Sequence, residues 1–449
     1  MRDLILLGAL LGVVPLILRR PMIGVLAWIW VALMNPQQEV YGFLQGASLN
    51  LYIAVITAFA WLASKQRKTV PLNPLTITLI IFMMWASITT YFALNPSYSY
   101  DLWDRTLKTF VLAFAILTIA STKGRIQAIV WMVVLSIGFY GIKGGGFTLL
   151  TGGRNHVFGP DNSMIADNNN LGLALVMVLP LMNYLRITTQ RYWVRLGLLA
   201  MMGLTLVGII GTYSRGAFFA LGVTGLAYAV RSRAGIIPLV LGGLLLASLP
   251  SLVPSSWFER MSTIQHANQD QSFQEREAAW TTSLNVAESR LTGGGFNSIQ
   301  QDWVADMYAS PGSLKIGRAA HSIYFEVMGD HGFFGLFLYA LILLAGWYNT
   351  TATLIAIRGR PEMDWAALLA RTMQVSMIGY LVGGAALSMA YYDGFLIMLA
   401  LTGALLLYVR KPATEEVEAP NLPAWRRGWK QGVPALARAS GRAGDLRLQ

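Results

Sequence analysis

The residues of this chain best suited to chemistry are cations in unexpected places. Arg105, Lys108, Lys143, Arg154, His156 and Arg215 stand at or beside the ends of long apolar segments, on the side where a regular series of cationic clusters is missing. One arginine at such a boundary has an ordinary role, snorkelling to lipid headgroups. Several on one side need a shared reason. A guanidinium stays charged and presents a fixed fork of donors that matches phosphate oxygens, so the set suits a lipid-linked phosphate or pyrophosphate held at the membrane surface. Gly216 beside Arg215 leaves room for a ligand or a helix to approach the backbone. A second concentration of reactive types lies at His321-Ser-Ile-Tyr-Phe-Glu-Val-Met-Gly-Asp-His-Gly-Phe-Phe-Gly335, where a polar stretch re-enters apolar sequence. His321, Glu326 and Asp330 there are each able to take a proton from a hydroxyl, and His321 read by itself is equally a structural histidine at a helix start.

Most of the sequence around these residues is apolar. Of 449 residues 55% are hydrophobic and 12% charged, against about 25% charged in a soluble globular protein. Runs of about 20 apolar residues read as spanning helices, because lipid offers no partner to free backbone donors and acceptors. Candidate spans fall at 4–18, 22–35, 49–64, 74–94, 105–121, 124–143, 169–186, 193–212, 215–231, 234–250, 333–357, 365–388 and 393–409. Pro15 and Pro21 interrupt the first two, so a miscount is expected there and the number is set at about twelve. Cationic clusters follow alternate segments, at Arg19-Arg20, Lys65 to Lys68, Lys123 to Arg125, Arg186 to Arg195, Arg231 to Arg233, Arg358 to Arg360 and Arg410-Lys411. The positive-inside rule puts those in the cytoplasm. The same register puts 36–48, 95–104, 144–168, 212–215, the long stretch 251–332 and Tyr391 to Asp393 on the outer face, together with the first group of cations.

The net charge of +12 is therefore a topology signal, and no motif for nucleic acid accompanies it. The absence of cysteine excludes disulfides, thiolate metal sites and Fe–S clusters. No Asp-x-Asp or His-x-x-x-His pair occurs, so no metal is expected at Asp161, Asp167 and His156. Within 251–332, Ser272 and Glu275 form a capping-box pattern, and Phe273, Trp280, Leu284 and Ala287 recur along one face of a helix over 272–289. The chain thus divides into an N-terminal bundle at 1–250 with an outer loop at 144–168, a mainly helical insert at 251–332, C-terminal spans at 333–410 and a basic, disordered cytoplasmic tail at 411–449. The glycines of Gly141-Ile-Lys-Gly-Gly-Gly146 and Thr151-Gly-Gly-Arg-Asn-His156 fit no phosphate-loop fingerprint and read as turn punctuation before a capped helix.

Taken in order, these blocks resemble the O-antigen ligase and polymerase superfamily of bacterial envelope polysaccharide enzymes. Arg276-x-x-x-Trp280, Leu291-Thr-Gly-Gly-Gly-Phe296, Ala320-His321-Ser-x-Tyr324 and Asp330-x-Gly332-x-x-Gly335 look like its outer-loop signature, in which His-Asn-x-Tyr precedes an acidic residue and two glycines. Ser322 replaces the usual Asn, and His331 stands between Asp330 and Gly332. Lys143-Gly-Gly-Gly-Phe147, Gly159-Pro-Asp-Asn-Ser163, Asp167-Asn-Asn-Asn170 and Tyr213-Ser-Arg-Gly-Ala217 are similar to a subgroup described as exosortase-associated O-glycosylation ligases. The resemblance spans residues 20 to 410. It implies an all-α polytopic membrane protein of GT-C-like glycosyltransferase architecture, with its insert and site facing the periplasm from the bacterial inner membrane. It also implies transfer of a glycan from an undecaprenyl pyrophosphate carrier to the lipid A core, to another carrier-linked repeat, or to protein.

Sugar transfer needs the acceptor hydroxyl polarised and the departing pyrophosphate stabilised. Enough arginines replace the divalent cation used elsewhere for that purpose. The expectation is a metal-independent, inverting displacement at the anomeric carbon, with no cofactor. The resemblance selects His321 as base, and Arg154, Arg215, Arg276 and Arg318 are expected on the phosphates from their charge and placement. Lys143 and Arg105 belong to the same substrate-facing set, while Tyr324 and Trp280 pack the insert or stack on a sugar ring. A transporter of the same lipid-linked glycan is the rival from another class, but the chain shows no internal repeat and almost no charge in the central turns of its spans. Reporter fusions after Arg231 and Arg410 are predicted to read cytoplasmic and one within Asn268 to Gln274 periplasmic; a cytoplasmic signal from the insert inverts the whole assignment.

Overall fold

The structure, a computed structural model, describes residues 1–65, 71–231 and 271–411, of which 77% are helical and none lies in a strand. Residues 1–409 form one compact unit; of residues 410–449, a separate unit, Arg410 and Lys411 are described. The expected span at 234–250, the first part of the insert at 251–270, the cationic residues 66–68 and the tail beyond Lys411 lie outside the described residues. In chain order the helices are α1 (Arg2–Arg19), α2 (Pro21–Met34), α3 (Leu49–Ala63), α4 (Pro74–Tyr91), α5 (Pro96–Ile119), α6 (Lys123–Leu150), α7 (Asn168–Thr188), α8 (Tyr192–Gly211) and α9 (Arg215–Arg231). After them come α10 (Gln271–Ser289), α11 (Asp302–Tyr308), α12 (Ile323–Ala356), α13 (Asp364–Gly384) and α14 (Asp393–Val409). Six of these, α4, α6, α7, α8, α12 and α13, are long and apolar enough to cross a membrane; α2, α3 and α14 are apolar but shorter.

Local sequence sets many of the helix starts. Proline occupies the first turn of α2, α4 and α5, where its missing N–H costs nothing. Asn73, Asn95, Thr122 and Asp167 cap α4, α5, α6 and α7 by accepting from backbone N–H groups of the first turn. The first two segments form an antiparallel hairpin broken at Arg20, and Asp3 Oδ1 accepts from Leu44 N at 3.1 Å. The start of α1 therefore lies at the same end of the bundle as the 36–48 loop, which is the side given by counting both short segments.

The glycine-rich stretch after Gly141 is not a turn. It is the continuation of α6 to Leu150, two turns past the expected end, and its glycines bring α6 against α8. A Cβ on Gly145 would stand 2.0 Å from the Leu204 carbonyl oxygen, and one on Gly141 would stand 2.2 Å from Thr205 Oγ1. Small residues permit this close crossing of backbones, as in other helix pairs without a hydrophobic driving force between them.

The insert joins the bundle at a break in α12. Gly332 has φ 68° and ψ −175°, so Ile323–His331 and the membrane-length part of α12 meet at a corner. The last carbonyls before the corner need new partners. Gly294 N donates to Gly329 O at 2.8 Å, Gly295 N to Asp330 O at 2.9 Å, and Trp85 Nε1 to His331 O at 2.9 Å. The Gly293-Gly-Gly295 segment is thus threaded between the corner and α4, with Leu94 N in turn donating to Gly294 O at 2.9 Å. His331 is enclosed by the rings of Phe82, Phe296 and Tyr391 and shares a 2.7 Å hydrogen bond between Nδ1 and Thr89 Oγ1. The expected helix of the insert is present as α10, but its buried face is turned from the predicted apolar stripe, with Phe273, Trp280 and Leu284 half-buried and Ala287 common to both. Ala278, Ala279, Thr282, Ser283, Val286 and Ala287 are its buried positions, and Ser283 lies against Gly329.

At Gly332 any side chain is doubly opposed: the backbone is left-handed, and a Cβ would lie 2.4 Å from Leu291 O. Gly332→Ala is predicted to destabilise by roughly 2–5 kcal/mol, from about 1–3 for the backbone and about 1–3 for overpacking. Gly146→Ala is its control, since nothing lies within 4 Å of that added methyl. Thermal unfolding in detergent should rank Gly332→Ala well below Gly146→Ala; equal midpoints would remove the corner from its proposed structural role.

Candidate active site

Five segments meet at the end of the bundle where α7 and α9 begin. Asn168, in the first turn of α7, donates from Nδ2 to Thr212 O at 2.6 Å, which ties α7 to the α8–α9 turn. In that turn Tyr213 adopts φ 56°, its hydroxyl donates to Gly153 O, and its ring lies on His156 at 4.4 Å. Val157 N donates to Gly211 O at 2.9 Å. The loop carrying Arg154 is therefore anchored on both sides of the turn that carries Arg215. Gly172 allows α9 to lie close, a Cβ there standing 2.6 Å from Ala217 Cβ, and Gly216 faces Ala386 in the α13–α14 turn. The same turn supplies Ser388, whose hydroxyl accepts from His321 N at 2.8 Å.

His321 sits at the centre of these elements, just ahead of α12, partly buried and with φ 45°. A residue other than glycine in this left-handed region is uncommon and costs energy that the surrounding contacts must offset. Its imidazole pKa is held below the ordinary value, first by burial and then by the positive charge of Arg276; Asp167 and Glu275 act in the opposite direction. The neutral ring is the result at pH 7, and a neutral imidazole nitrogen accepts a proton. α10 carries both Glu275 and Arg276, and Glu275 also holds the exposed Arg318 at 3.1 Å between Oε2 and Nε. One histidine, two arginines of the insert and two carboxylates thus share one neighbourhood, beside the turn that carries Arg215.

The other expected residues have different work in the structure. Arg105 lies 3.6 Å from the buried Asp393, which also accepts from Thr109 Oγ1, and Lys143 binds Glu39 at 2.8 Å. Lys108 is paired with Asp104. Tyr324 donates to Leu381 O at 3.1 Å. Trp280 donates from Nε1 to Ala320 O at 2.7 Å and stacks on Phe325 at 5.1 Å, so it fixes the residue immediately before His321. The rival bases are occupied as well. Glu326 accepts from Ala390 N at 2.9 Å, and Asp330 accepts from Asn297 N and from the Tyr391 hydroxyl, both at 2.9 Å. Ser388, Tyr213 and the charge of Asp167 are the participants that sequence reasoning did not assign. The Asp167-Asn-Asn-Asn170 block was conspicuous, but only the fold brings it to His321.

Residues 1–190 match a family of unknown function, DUF5935, and residues 200–340 match the O-antigen ligase family model. No curated protein matches the chain. Arg215, Arg276, Arg318 and His321 all lie inside the second match, and that region supports a place in the O-antigen ligase-like superfamily.

Proposed function

We propose that the protein is a membrane glycosyltransferase that moves a glycan from undecaprenyl pyrophosphate to the lipid A core oligosaccharide at the periplasmic face of the bacterial inner membrane. The observation that carries this reading is the meeting of His321 with Arg276 and Asp167 beside the Arg215 turn, within the region that matches the O-antigen ligase family. A lipid-linked donor reaches such a point from the bilayer and a sugar acceptor reaches it from water. His321 takes the proton of the acceptor hydroxyl as that oxygen attacks the anomeric carbon. The bond from that carbon to the pyrophosphate oxygen breaks, the configuration inverts, and the electron pair leaves on polyprenyl pyrophosphate. Arg215, Arg276, Arg154 and Arg318 meet the charge on the leaving group, with no metal ion required. Ser388 and Trp280 are positioning residues, since both hold the Ala320–His321 peptide that leads into the His321 ring, Trp280 at its carbonyl and Ser388 at its N–H.

Purified protein given carrier-linked glycan and core acceptor should release carrier pyrophosphate, an event that transport alone does not produce. Loss of the gene should leave lipid A core uncapped while carrier-linked polymer still forms; a loss of polymer length would assign the chemistry to polymerisation instead. EDTA treatment is expected to leave turnover unchanged, and a requirement for re-added divalent ion overturns the metal-free step.

His321→Ala is predicted to bind donor and fail to transfer, by roughly 10²–10⁴ in rate. If His321→Gln restores turnover, the residue orients the hydroxyl and does not take its proton. The pH profile offers a sharper test because the active ring is neutral, so the rate falls as pH drops below the usual histidine value. Arg276 pushes the pKa down, and Arg276→Gln should move that acidic limb to higher pH. Asp167 pushes it up, and Asp167→Asn should move the limb lower. Shifts of the same sign in both variants would remove His321 as the titrating group.

Arg215→Lys keeps the charge and loses the fork of donors. It is predicted to lose about one to two decades in rate, corresponding to roughly 1.5–3 kcal/mol for a charge-assisted contact made in the transition state. Turnover near that of the wild type would point to a general electrostatic role for position 215.

A further inference from the structure

A pocket of about 180 Å³ opens among the end of α2, the loop that follows it and α5, and none of its walls belongs to the group around His321. Asn35, Gln37, Asn50, Arg105, Lys108 and Asn162 line it. A wall rich in side-chain amides, Asn35, Gln37, Gln38, Asn50 and Asn162, offers donors and acceptors that suit ligand hydroxyls. The two cations call for negative charge, but not much of it. Each already has one carboxylate, Asp393 for Arg105 and Asp104 for Lys108, and neither carboxylate lines the pocket. The remaining field suits a singly charged phosphodiester better than a pyrophosphate. No aromatic ring lines the pocket to stack on a sugar, and the space suits a small headgroup rather than an oligosaccharide.

The pocket wall includes Leu51 of α3. From there Leu51, Val55 and Phe59, at helical spacing, run down an exposed apolar stripe with Tyr52 beside it; they are 42%, 60%, 65% and 61% exposed. A polar pocket at the head of an apolar stripe has the layout of a lipid. We propose that the pocket holds the hydroxylated phosphodiester headgroup of a phosphoglycerol-type lipid, with its acyl chains lying along this face of α3.

The test uses the full chain in nanodiscs of equal phosphatidylcholine and phosphatidylglycerol, released for native mass spectrometry. Wild-type protein should retain phosphatidylglycerol over phosphatidylcholine by about tenfold, as expected for a charge-assisted contact together with neutral hydrogen bonds. Asn50→Leu with Lys108→Gln should abolish that preference. A wild type without preference, or a double variant that keeps it, overturns the proposal. A measurement without substitution guards against misfolding of the variant: glycerol 1-phosphate added in excess to wild-type protein should displace the retained lipid, whereas inorganic phosphate, which lacks the carbon-borne hydroxyls, should not. Displacement by both equally would make this an anion site without a lipid's headgroup chemistry and overturn the proposal. Binding of glycerol 1-phosphate in pure phosphatidylcholine discs as tightly as phosphatidylglycerol would identify the free ester as the source and overturn the lipid assignment.

Discussion

The structure depends on how one break in a helix is satisfied. Inside a membrane protein a backbone carbonyl released from its helix has no bulk water to turn to, so a corner in α12 persists only if other donors reach it. Gly294 N, Gly295 N and Trp85 Nε1 are those donors. Their approach explains why the Leu291-Thr-Gly-Gly-Gly-Phe296 block carries three glycines in a row. A Cβ on Gly293 would stand 2.5 Å from Gly332 N, one on Gly294 would stand 2.1 Å from Ser298 Oγ, and one on Gly295 would stand 2.2 Å from Ala93 Cβ. The glycines therefore serve backbone contact around the corner. Asp330 completes the arrangement, since its carboxylate binds Asn297 N on one side and the Tyr391 hydroxyl on the other. One acidic side chain thus joins the insert, α12 and the approach to α14. His321 lies nine residues before that carboxylate and is positioned by the same short helix.

This arrangement separates two kinds of acidic residue that the sequence sets side by side. Glu326 and Asp330 are buried and accept from fixed donors, so taking a substrate proton would compete with hydrogen bonds that hold the fold together. Asp167 and Glu275 instead act on His321 through space while Arg276 opposes them. Because burial and Arg276 outweigh the two carboxylates, the ring stays neutral. The proposed role of His321 as a base needs that balance. In the proposed transfer, a charge such as that of Arg276 would meet the leaving group and also suppresses protonation of His321 beside it.

Much of this was legible in the chain because hydrophobic length is a strong signal. Twelve of the thirteen apolar segments coincide with helices, and the thirteenth lies outside the described residues. The helix over 272–289 matches α10 in extent, but Ser272 of the expected capping pattern lies inside the helix, which begins at Gln271. The glycines after Gly141 were misread because a glycine in a turn and a glycine at a helix crossing look alike until the partner helix is known; Leu204 and Thr205 of α8 decide it. The cations were legible as a group but not as individuals. Which of them has a carboxylate opposite depends on residues far away in sequence, Glu39 for Lys143 and Asp393 for Arg105. Ser388 gave no signal at all, since a serine in a turn is unremarkable until a backbone N–H from residue 321 points at it.

The pairing of the cations also bears on what kind of protein this is. A transporter moves its charged groups past one another and gains from ion pairs that exchange between states. Here Lys143–Glu39 and Arg105–Asp393 join different elements at one end of the bundle, and the second of them rests on a buried carboxylate that Thr109 also contacts. Removing Arg105 would leave the buried Asp393 without its cation, which favours a fixed geometry over an alternating one. The corner at Gly332 adds to that rigidity, because opening it would expose three carbonyls at once. Rigid elements around a neutral histidine suit the proposed transfer, in which donor and acceptor must be held in line.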